Sequence, residues 1–270
     1  MRKSTRRFLF WFAVLVFATA SWVAILYAQG YAYDWEDNTF VRTGAIAVTA
    51  NTDAKLFIDD QVVGSLSLLG RRTGRDHLLP GSYTIRLVRD GWSAWRKEAV
   101  VSEGLLTDFP SVLLLPMDEP SQDGLRNEAQ QALEGAQTLA KASPSPAPRR
   151  PTPTPELKLD QWLLRGDELF LMDTASGSLI AEEVLGFSPT DNNDRVLWWT
   201  RNELWVLWLQ NTDYQPYRME QEREMLTRWS TPISRAAWFR DRDHVVVDLG
   251  ASGFRVVETD TRGGVNIIRF

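Results

Sequence analysis

The stretch FLFWFAVLVFATASWVAILYAQGYAY, residues 8–33, decides how the rest of the chain is arranged, because it contains no charged side chain. Its apolar core, residues 8–28, is long enough to cross a hydrocarbon layer about 30 Å thick as a helix. A basic head, residues 1–7, precedes it with four positive charges. The positive-inside rule therefore predicts a cytoplasmic head, a transmembrane anchor and an extracytoplasmic remainder.

A cleaved signal peptide is the alternative interpretation of this segment. Ala18-Thr19-Ala20 has the small-residue pattern of a cleavage site. The apolar run continues past that site to residue 28, however, and this length favours an uncleaved anchor. Both interpretations export the chain, whereas a third, a buried helix of a soluble protein, does not. Aromatic residues of the kind found at membrane interfaces occur within and after the run: Trp11, Trp22, Tyr27, Tyr31 and Tyr33.

Composition restricts what the exported part can be. The chain has 270 residues and a formal net charge of −5, and without the four basic residues of the head the remainder carries −9. This acidic balance argues against nucleic-acid binding, which needs a basic face. The absence of cysteine excludes disulfides and cysteine-ligated metals. Stability must therefore come from burial, and twelve tryptophans among 44% hydrophobic residues supply suitable side chains.

Residues 43–117, which follow a short stalk at residues 34–42, have the pattern of a small all-β domain. The stretch SYTIRLV, residues 82–88, alternates apolar and polar side chains as a half-buried strand does. Pro80-Gly81 and Asp90-Gly91 are strong turn signals on either side of it. Several short strands at this spacing predict a β-sandwich.

This region resembles the PEGA domain, a small β-sandwich of bacterial and archaeal surface proteins. The resemblance is carried by AKLFIDDQVVG (residues 54–64), LPGSYTIRL (79–87) and RDGW (89–92). It implies placement at the cell surface and contact with cell-wall polymer, and it implies no reaction. The loop from Ser67 to His77 is longer and more basic than is usual in that family.

Residues 118–157 are predicted to be a linker, Ala-rich at first and then Pro-rich. Leu125, Ala129 and Leu133 fall on one narrow helical face, for which a marginal helix or disorder is favoured over a packed element or a coiled-coil seam. Residues 143–155 contain six prolines in thirteen positions. They predict an extended spacer of roughly 40 Å, at about 3.1 Å per residue.

Residues 158–270 are β again, with nine short strand candidates. Two stretches are alike: residues 187–207 and residues 238–257, the second beginning 51 residues after the first. A repeat of this length with several strands per unit is typical of propeller blades. Residues 233–270, which include AWFRDRDHVVVDLG (237–250), resemble a blade of the TolB-like or WD40-like propellers.

About two blades are counted, whereas a closed propeller needs about four to eight. Three explanations are open: a chain that continues beyond Phe270, assembly with other copies, and a small independent sheet. The first is favoured, because an incomplete blade leaves an edge strand exposed.

The sequence predicts no catalytic residue, cofactor site or metal site. His77 and His244 are the two histidines, and neither lies in a metal-binding or catalytic motif. The Asp191–Asp194 stretch is similar to a calcium loop but lacks its glycine and has Arg195 at a ligand position, so a solvated turn is favoured. The clustered tryptophans Trp198, Trp199, Trp205 and Trp208 are assigned to core packing rather than to an exposed platform.

Candidate surface-binding residues form two groups. Arg71, Arg72 and Arg75 lie in the predicted basic loop and could contact anionic lipid or cell-wall polymer, although a solvated loop is favoured. Trp92 and Trp95 flank the turn at Asp90-Gly91, where display at the surface is expected.

These patterns predict a mainly β, membrane-anchored cell-envelope protein with a non-catalytic binding or scaffolding role. The expected partners are the lipid bilayer, through residues 8–28, and cell-wall polymer or envelope proteins. The alternative is a subunit, or the N-terminal part, of a cell-wall-active enzyme or envelope sensor. Extra blades beyond residue 270 would favour binding, and a further acidic or histidine-rich segment would favour catalysis.

Overall fold

A computed structural model describes residues 3–66, 71–138, 156–159, 161–172 and 177–270, and it confirms a mainly β chain with one long N-terminal helix. The chain divides into two compact units. Unit 1 contains Met1–Leu87 and Glu98–Val112, and unit 2 contains Val88–Lys97 and Leu113–Phe270. The predicted Pro-rich spacer, residues 143–155, lies outside the described residues.

Helix α1 (Lys3–Ala28) contains the predicted apolar segment. From Ser4 to Ala28 its mean hydropathy reaches 2.3 and none of its most apolar stretch is buried, so by length and composition this helix is able to cross a membrane, as an anchor or a signal sequence would. The helix ends where Gly30 takes φ +81° and its amide donates to the Tyr27 carbonyl (3.0 Å). Glycine adopts this left-handed conformation without a steric penalty, which lets the chain reverse.

The stalk predicted at residues 34–42 is instead part of a two-stranded hairpin. Strand β1 (Tyr31–Asp34) pairs antiparallel with β2 (Thr39–Arg42). Pairing leaves the aromatic residues of the two strands opposite one another, with Tyr33 facing Phe40.

Seven further strands form two sheets in the region predicted to be a β-sandwich. They are β3 (Gly44–Ala50), β4 (Ala54–Ile58), β5 (Gln61–Leu66), β6 (Arg72–Leu78), β7 (Gly81–Val88), β8 (Trp95–Val101) and β9 (Leu106–Val112). One sheet has the order β6-β3-β9, with β9 parallel to β3, and the other has the order β5-β4-β7-β8. Alternate residues of β8 are buried, and Ile46, Leu56, Ile85 and Phe109 are fully buried, as the period-2 pattern predicts.

The prediction of a basic loop at residues 67–77 is wrong for its second half, because residues Arg72–Leu78 form strand β6. Gly74 was predicted to lie in this loop, but it lies in β6 and lets that strand pack closely against β3. It pairs with Ala47, and a Cβ at this position would lie 2.2 Å from the Ile46 carbonyl oxygen. Only glycine allows β6 to approach β3 so closely.

The first half of the predicted linker is a packed helix, so the expectation of a marginal or disordered segment is wrong. Helix α2 (Glu119–Glu134) begins at Asp118, whose side chain accepts a hydrogen bond from the Ser121 amide (3.1 Å). Leu125, Ala129 and Leu133 are buried, and they pack in one cluster with apolar residues that include Phe239 and Val246. The narrow apolar face is stable because this surface covers it.

Unit 2 contains three antiparallel sheets. Their strands are β10 (Gln137–Thr138), β11 (Glu156–Leu159), β12 (Trp162–Arg165), β13 (Glu168–Leu171), β14 (Ser178–Ala181), β15 (Gly186–Pro189), β16 (Arg195–Trp199), β17 (Glu203–Trp208), β18 (Arg223–Arg228), β19 (Arg235–Trp238), β20 (His244–Asp248), β21 (Phe254–Glu258) and β22 (Ile267–Arg269). The strand orders are β11-β12-β13-β14, β10-β15-β16-β17-β18 and β19-β20-β21-β22. All nine strand candidates are present.

The sequence undercounted these sheets. It gave about two repeats, whereas three consecutive meanders of four strands are present. Four strands were missed: β10, β11, β15 and β18. Strand β15 is short and ends at Pro189, and the charged sequence of β18 hides its apolar alternation. The described residues form no closed barrel or propeller.

Candidate binding cleft

A cleft of about 830 Å³ opens in unit 2, where the turns that follow β15 and β19 lie near the C-terminal end of α2. The cleft is also lined by Ala132 of helix α2, by Gly135 directly after that helix, and by Leu159 of β11. The polar and aromatic residues at the cleft come mainly from the two turns: Ser188, Thr190, Asp191, Asn192, Trp238, Arg240, Asp241 and Arg242. Its size is typical of a small-molecule site.

The first turn, residues 190–194, joins β15 to β16. The Thr190 amide donates to the Arg195 carbonyl (3.0 Å), and the Thr190 hydroxyl donates to Asp194 Oδ1 (2.7 Å). Asn193 takes φ +52°, a conformation that Asn tolerates well. Asp191 and Asn192 are left exposed at the cleft, while Asp194 and Arg195 are buried beneath them.

The second turn, residues 239–243, joins β19 to β20 in the same way. The Phe239 amide donates to the His244 carbonyl (2.9 Å), and Arg240 takes the left-handed conformation. Asp241 accepts a hydrogen bond from the Asp243 amide (2.9 Å), which closes an Asx turn. Arg240 donates two hydrogen bonds to Glu128 of α2, at 2.8 and 2.7 Å. This bidentate pair orients the guanidinium at the cleft wall.

Reciprocal ion pairs lock the two turns together. The Arg195 guanidinium donates to the Arg242 carbonyl (2.8 Å) and to Asp243 Oδ1 (3.1 Å) in the second turn. Arg242 in turn donates to Asp194 Oδ2 (2.7 Å) in the first turn. Each turn therefore supplies one cation and one anion to the other, and the cleft floor is held in place by charge-assisted hydrogen bonds.

These contacts shift the pKa values of the groups under the first turn. Burial alone would raise the pKa of Asp194, but the Thr190 hydrogen bond and the charges of Arg195 and Arg242 lower it. Tyr214 accepts from Arg195 and donates to Asp243, both at 2.8 Å. Burial and the nearby Asp243 carboxylate raise the pKa of Tyr214 to about 12. Asp194, Arg195 and Tyr214 therefore each keep one charge state over the physiological pH range.

A second buried network starts at His244, directly after the second turn. His244 Nδ1 lies 2.9 Å from both carboxylate oxygens of Asp241. Burial would lower the pKa of His244, but the hydrogen bond and charge of Asp241, with the charges of Glu258 and Asp243, raise it. His244 and Glu258 are directly opposite each other on β20 and β21.

Glu258 connects this network to Lys97. The Lys97 ammonium lies 3.2 Å from Glu258 Oε2, and both side chains are almost fully buried. Lys97 also donates to the carbonyls of Asp260 and of Gly264, the latter at 2.6 Å. Burial raises the pKa of Glu258, although the Lys97 and His244 charges oppose that shift. The ammonium thus fastens segment 88–97 to the turn between β21 and β22 within unit 2.

The cleft is suited to hold a polar ligand. Asp191 and Arg242 offer hydrogen-bonding groups at its edge, and Trp238 offers a half-buried ring whose Nε1 donates to the Ser188 carbonyl (2.9 Å). The Asn192 amide is used by Thr190, Asp194 and Arg242. Within the described ranges no group of three or more His, Asp or Glu side chains is placed to hold a metal ion. The Asp194 carboxylate of the calcium-like stretch is used by Thr190 and Arg242.

The predicted basic residues lie in unit 1 and do not line the cleft. Arg71, Arg72 and Arg75 are exposed, with Arg72 and Arg75 on strand β6 instead of a loop. Arg72 pairs with Asp108 at 3.1 Å. His77, at the end of the same strand, stacks on Tyr27 of α1 with ring centroids 4.8 Å apart. A surface role for the three arginines stays a prediction.

The two predicted surface tryptophans differ. Trp92 is half-buried, and the Arg89 guanidinium lies 4.2 Å from its ring centroid. Trp95 is only 2% exposed, and its indole N–H lies 3.3 Å from both Glu258 carboxylate oxygens. The expectation of surface display is therefore wrong for Trp95, because its ring is packed beside the Lys97 network. The core assignment is confirmed for Trp198, Trp199 and Trp208, while Trp205 is half-buried and stacks on Trp198.

Sequence reasoning missed the residues that build the cleft floor. Arg195 was considered only as a misplaced calcium ligand, and Lys97 and Glu258 were not singled out. The available signal was positional: Arg195 and His244 each follow an acidic turn and begin an apolar strand in the repeated stretches. No protein-family model matches the chain, and no curated protein is similar to it.

Proposed function

We propose that this chain is a single-pass membrane protein, with its N-terminus in the cytoplasm, that displays its β units on the outer side of the membrane. The apolar, unburied helix α1 behind a basic head supports the anchor and its orientation. The role proposed here is that of a binding or scaffolding element of the cell envelope.

The family resemblance of each of the two β regions is also part of this proposal. The PEGA-like residue pattern, together with two sheets between residues 44 and 112, supports a PEGA-like sandwich next to the anchor. Three successive four-stranded meanders support propeller-like blades of the TolB or WD40 kind in unit 2. The described residues do not include a closed ring of blades.

The observation that carries the binding role is the cleft at the two locked turns. Arg240, Asp241 and Arg242 are held by partners before any ligand arrives, so binding would not require these side chains to be ordered at that time. A ring with nearby carboxylate and guanidinium groups matches the hydroxyl groups and apolar faces of a sugar. The proposed ligand is a segment of cell-wall glycan.

Binding is tested by calorimetric titration of the full chain, in detergent micelles, with soluble cell-wall glycan fragments. Asp191→Ala removes an exposed carboxylate from the cleft, and Asp213→Ala removes an exposed carboxylate of unit 2 that does not line it. Loss of one charged hydrogen bond predicts about tenfold weaker binding for Asp191→Ala. Asp213→Ala should bind as the natural chain does. Equal affinities for all three proteins, or no binding by the natural chain, would contradict the proposal.

Anchoring is tested separately by alkaline carbonate extraction of membranes from cells that express the full chain. The protein should remain in the membrane pellet at its full length. Recovery of a shortened, soluble protein would show that the N-terminal segment is a cleaved signal peptide.

A further inference from the structure

We infer that the cleft at the two turns continues past the first turn into a second cleft, and that the two clefts together bind consecutive sugar units of one glycan chain. This inference rests on the proposed function, because the second cleft extends the site proposed there. It adds that the ligand is a polymer with several units in contact with the protein, and it names the residues that hold the further units.

The second cleft has a volume of about 510 Å³ and lies within unit 2. It is lined by residues of β13 and β14 in the first meander, by the first turn, and by the connection between β17 and β18, residues 209–222. A cleft of this size can hold a small polar ligand or a segment of a longer one.

The two clefts adjoin at two places. Asn192 of the first turn lines both of them. Where the first meander begins, Leu159 lines the first cleft and Gln161 lines the second. Two residues of chain span at most about 7 Å. A glycan chain that leaves the first cleft past Leu159 and Asn192 therefore enters the second cleft directly.

The second cleft offers neutral hydrogen-bonding groups that the protein itself does not use. Gln161, Gln210 and Gln221 line it, and their side-chain amides have no hydrogen-bond partner among the residues that the structure describes. Each amide has two donor hydrogens and an acceptor oxygen. Hydroxyl groups both donate and accept, so the hydroxyl groups of a sugar match these three amides.

The charge of the second cleft also favours an uncharged ligand. Among its described lining residues only Glu220 and Arg223 are charged, and their charges are opposite. Arg223 is already used, because it donates to the Ile180 carbonyl (2.6 Å). Leu179, which is 45% exposed, adds an apolar surface beside the amides. Neutral sugar units present hydroxyl groups and C–H faces to such a surface.

The backbone that carries these glutamines is held in place without a ligand. The Gln161 carbonyl accepts a hydrogen bond from the Met172 amide (2.7 Å), and the Gln221 amide donates to the Trp208 carbonyl (2.7 Å). Binding therefore has to fix only the rotation of the glutamine side chains, which keeps its entropic cost low.

The inference is tested by calorimetric titration of the full chain, in detergent micelles, with a disaccharide and a hexasaccharide of the same cell-wall glycan. The double variant Gln161→Leu, Gln210→Leu replaces two amides of the second cleft with apolar groups of similar size. Gln130→Leu is the matched control, because Gln130 is an exposed residue of α2 that lines neither cleft.

The double variant should bind the hexasaccharide about tenfold more weakly than the natural chain does, as expected for the loss of two hydrogen bonds between uncharged groups. Its affinity for the disaccharide should be unchanged, which also shows that the variant is folded. Gln130→Leu should bind both fragments as the natural chain does.

Three results would overturn the inference. Equal hexasaccharide affinities for the natural chain and the double variant would overturn the second cleft and leave the proposed function intact. Equal weakening of both fragments would show that the two glutamines support the first cleft and do not form a separate one. No binding of either fragment by the natural chain would overturn the proposed function and this inference together.

Discussion

The first and second turns of unit 2 occupy equivalent places in successive sheets, yet they are stabilised by different chemistry. Arg195 begins the strand after the first turn and His244 begins the strand after the second, and both are buried. Arg195 carries a permanent charge: it forms ion pairs with Asp194 and Asp243 and donates a hydrogen bond to Tyr214. His244 carries a titratable charge and is coupled to Glu258 and Lys97. The same position after a turn can therefore stabilise the fold at all pH values or only when it is protonated. Which of the two applies depends on the side chain present and on its neighbours.

The largest loss of stability is expected when the buried Lys97–Glu258 ion pair of the second network is broken. Lys97→Met leaves the Glu258 carboxylate buried without its cation, and breaking a buried pair in this way should lower the free energy of unfolding by about 3–5 kcal/mol. Urea unfolding of the full chain in micelles, followed by tryptophan fluorescence, measures the change.

Two comparison variants identify the cause. Lys55→Met changes an exposed lysine of β4 and should alter stability by less than about 0.5 kcal/mol. Adding Glu258→Leu to Lys97→Met removes the orphaned charge and should recover part of the loss. A double variant as unstable as the single one would mean that packing around Lys97, and not charge, is the main contribution.

A smaller effect is expected in the first network. Arg195→Met removes the donor to Asp243 and to the Arg242 carbonyl, but Asp243 keeps Tyr214 and Asp194 keeps Arg242. Since each acidic group retains a partner, the loss should be about 1.5–3 kcal/mol, the value for hydrogen bonds to charged groups. A loss larger than that of Lys97→Met would reverse the ranking of the two networks.

The smallest expected change is in how the free energy of unfolding depends on pH. This pH dependence also distinguishes the two turns most clearly. The pKa of His244 is raised above its ordinary 6.5 in the folded protein, so its stabilisation is complete below about pH 6.5 and is lost as pH rises through the folded value. The pKa of Glu258 is also raised, and its contribution changes in the same direction from about pH 4.5 upward. Stability should therefore fall as pH rises above about 6.5.

Unfolding curves at several pH values test this difference between the networks. His244→Gln should flatten the fall above pH 6.5. Arg195→Met should keep it, because Arg195 stays charged throughout this range and the pKa of its partner Tyr214 is raised to about 12. If His244→Gln and Arg195→Met both show the same slope of stability against pH as the natural chain, His244 is not the source of the pH dependence.

Much of the fold follows from patterns in the sequence, with errors at particular residues. The apolar segment, the alternation in residues 82–88 and the nine strand candidates of the C-terminal half were predicted correctly. The face of α2 was also recognised, but its burial was not, because Phe239 and Val246, which cover it, lie more than a hundred residues later. Gly74 was assigned to a loop because the approach of β3 is not visible in the sequence of β6.

The candidate site was less predictable than the fold. Trp95 was expected at the surface because it follows a turn, and its burial beside Glu258 depends on residues far away in the chain. The sequence by itself determined the membrane-length helix and the β periodicity, since both depend on side-chain spacing within one segment. Only the tertiary structure decided that Lys97 meets Glu258 and that Arg195 and Arg242 exchange partners between turns. Burying a charge is favourable only when a distant partner arrives to pair with it, and local spacing contains no information about that partner.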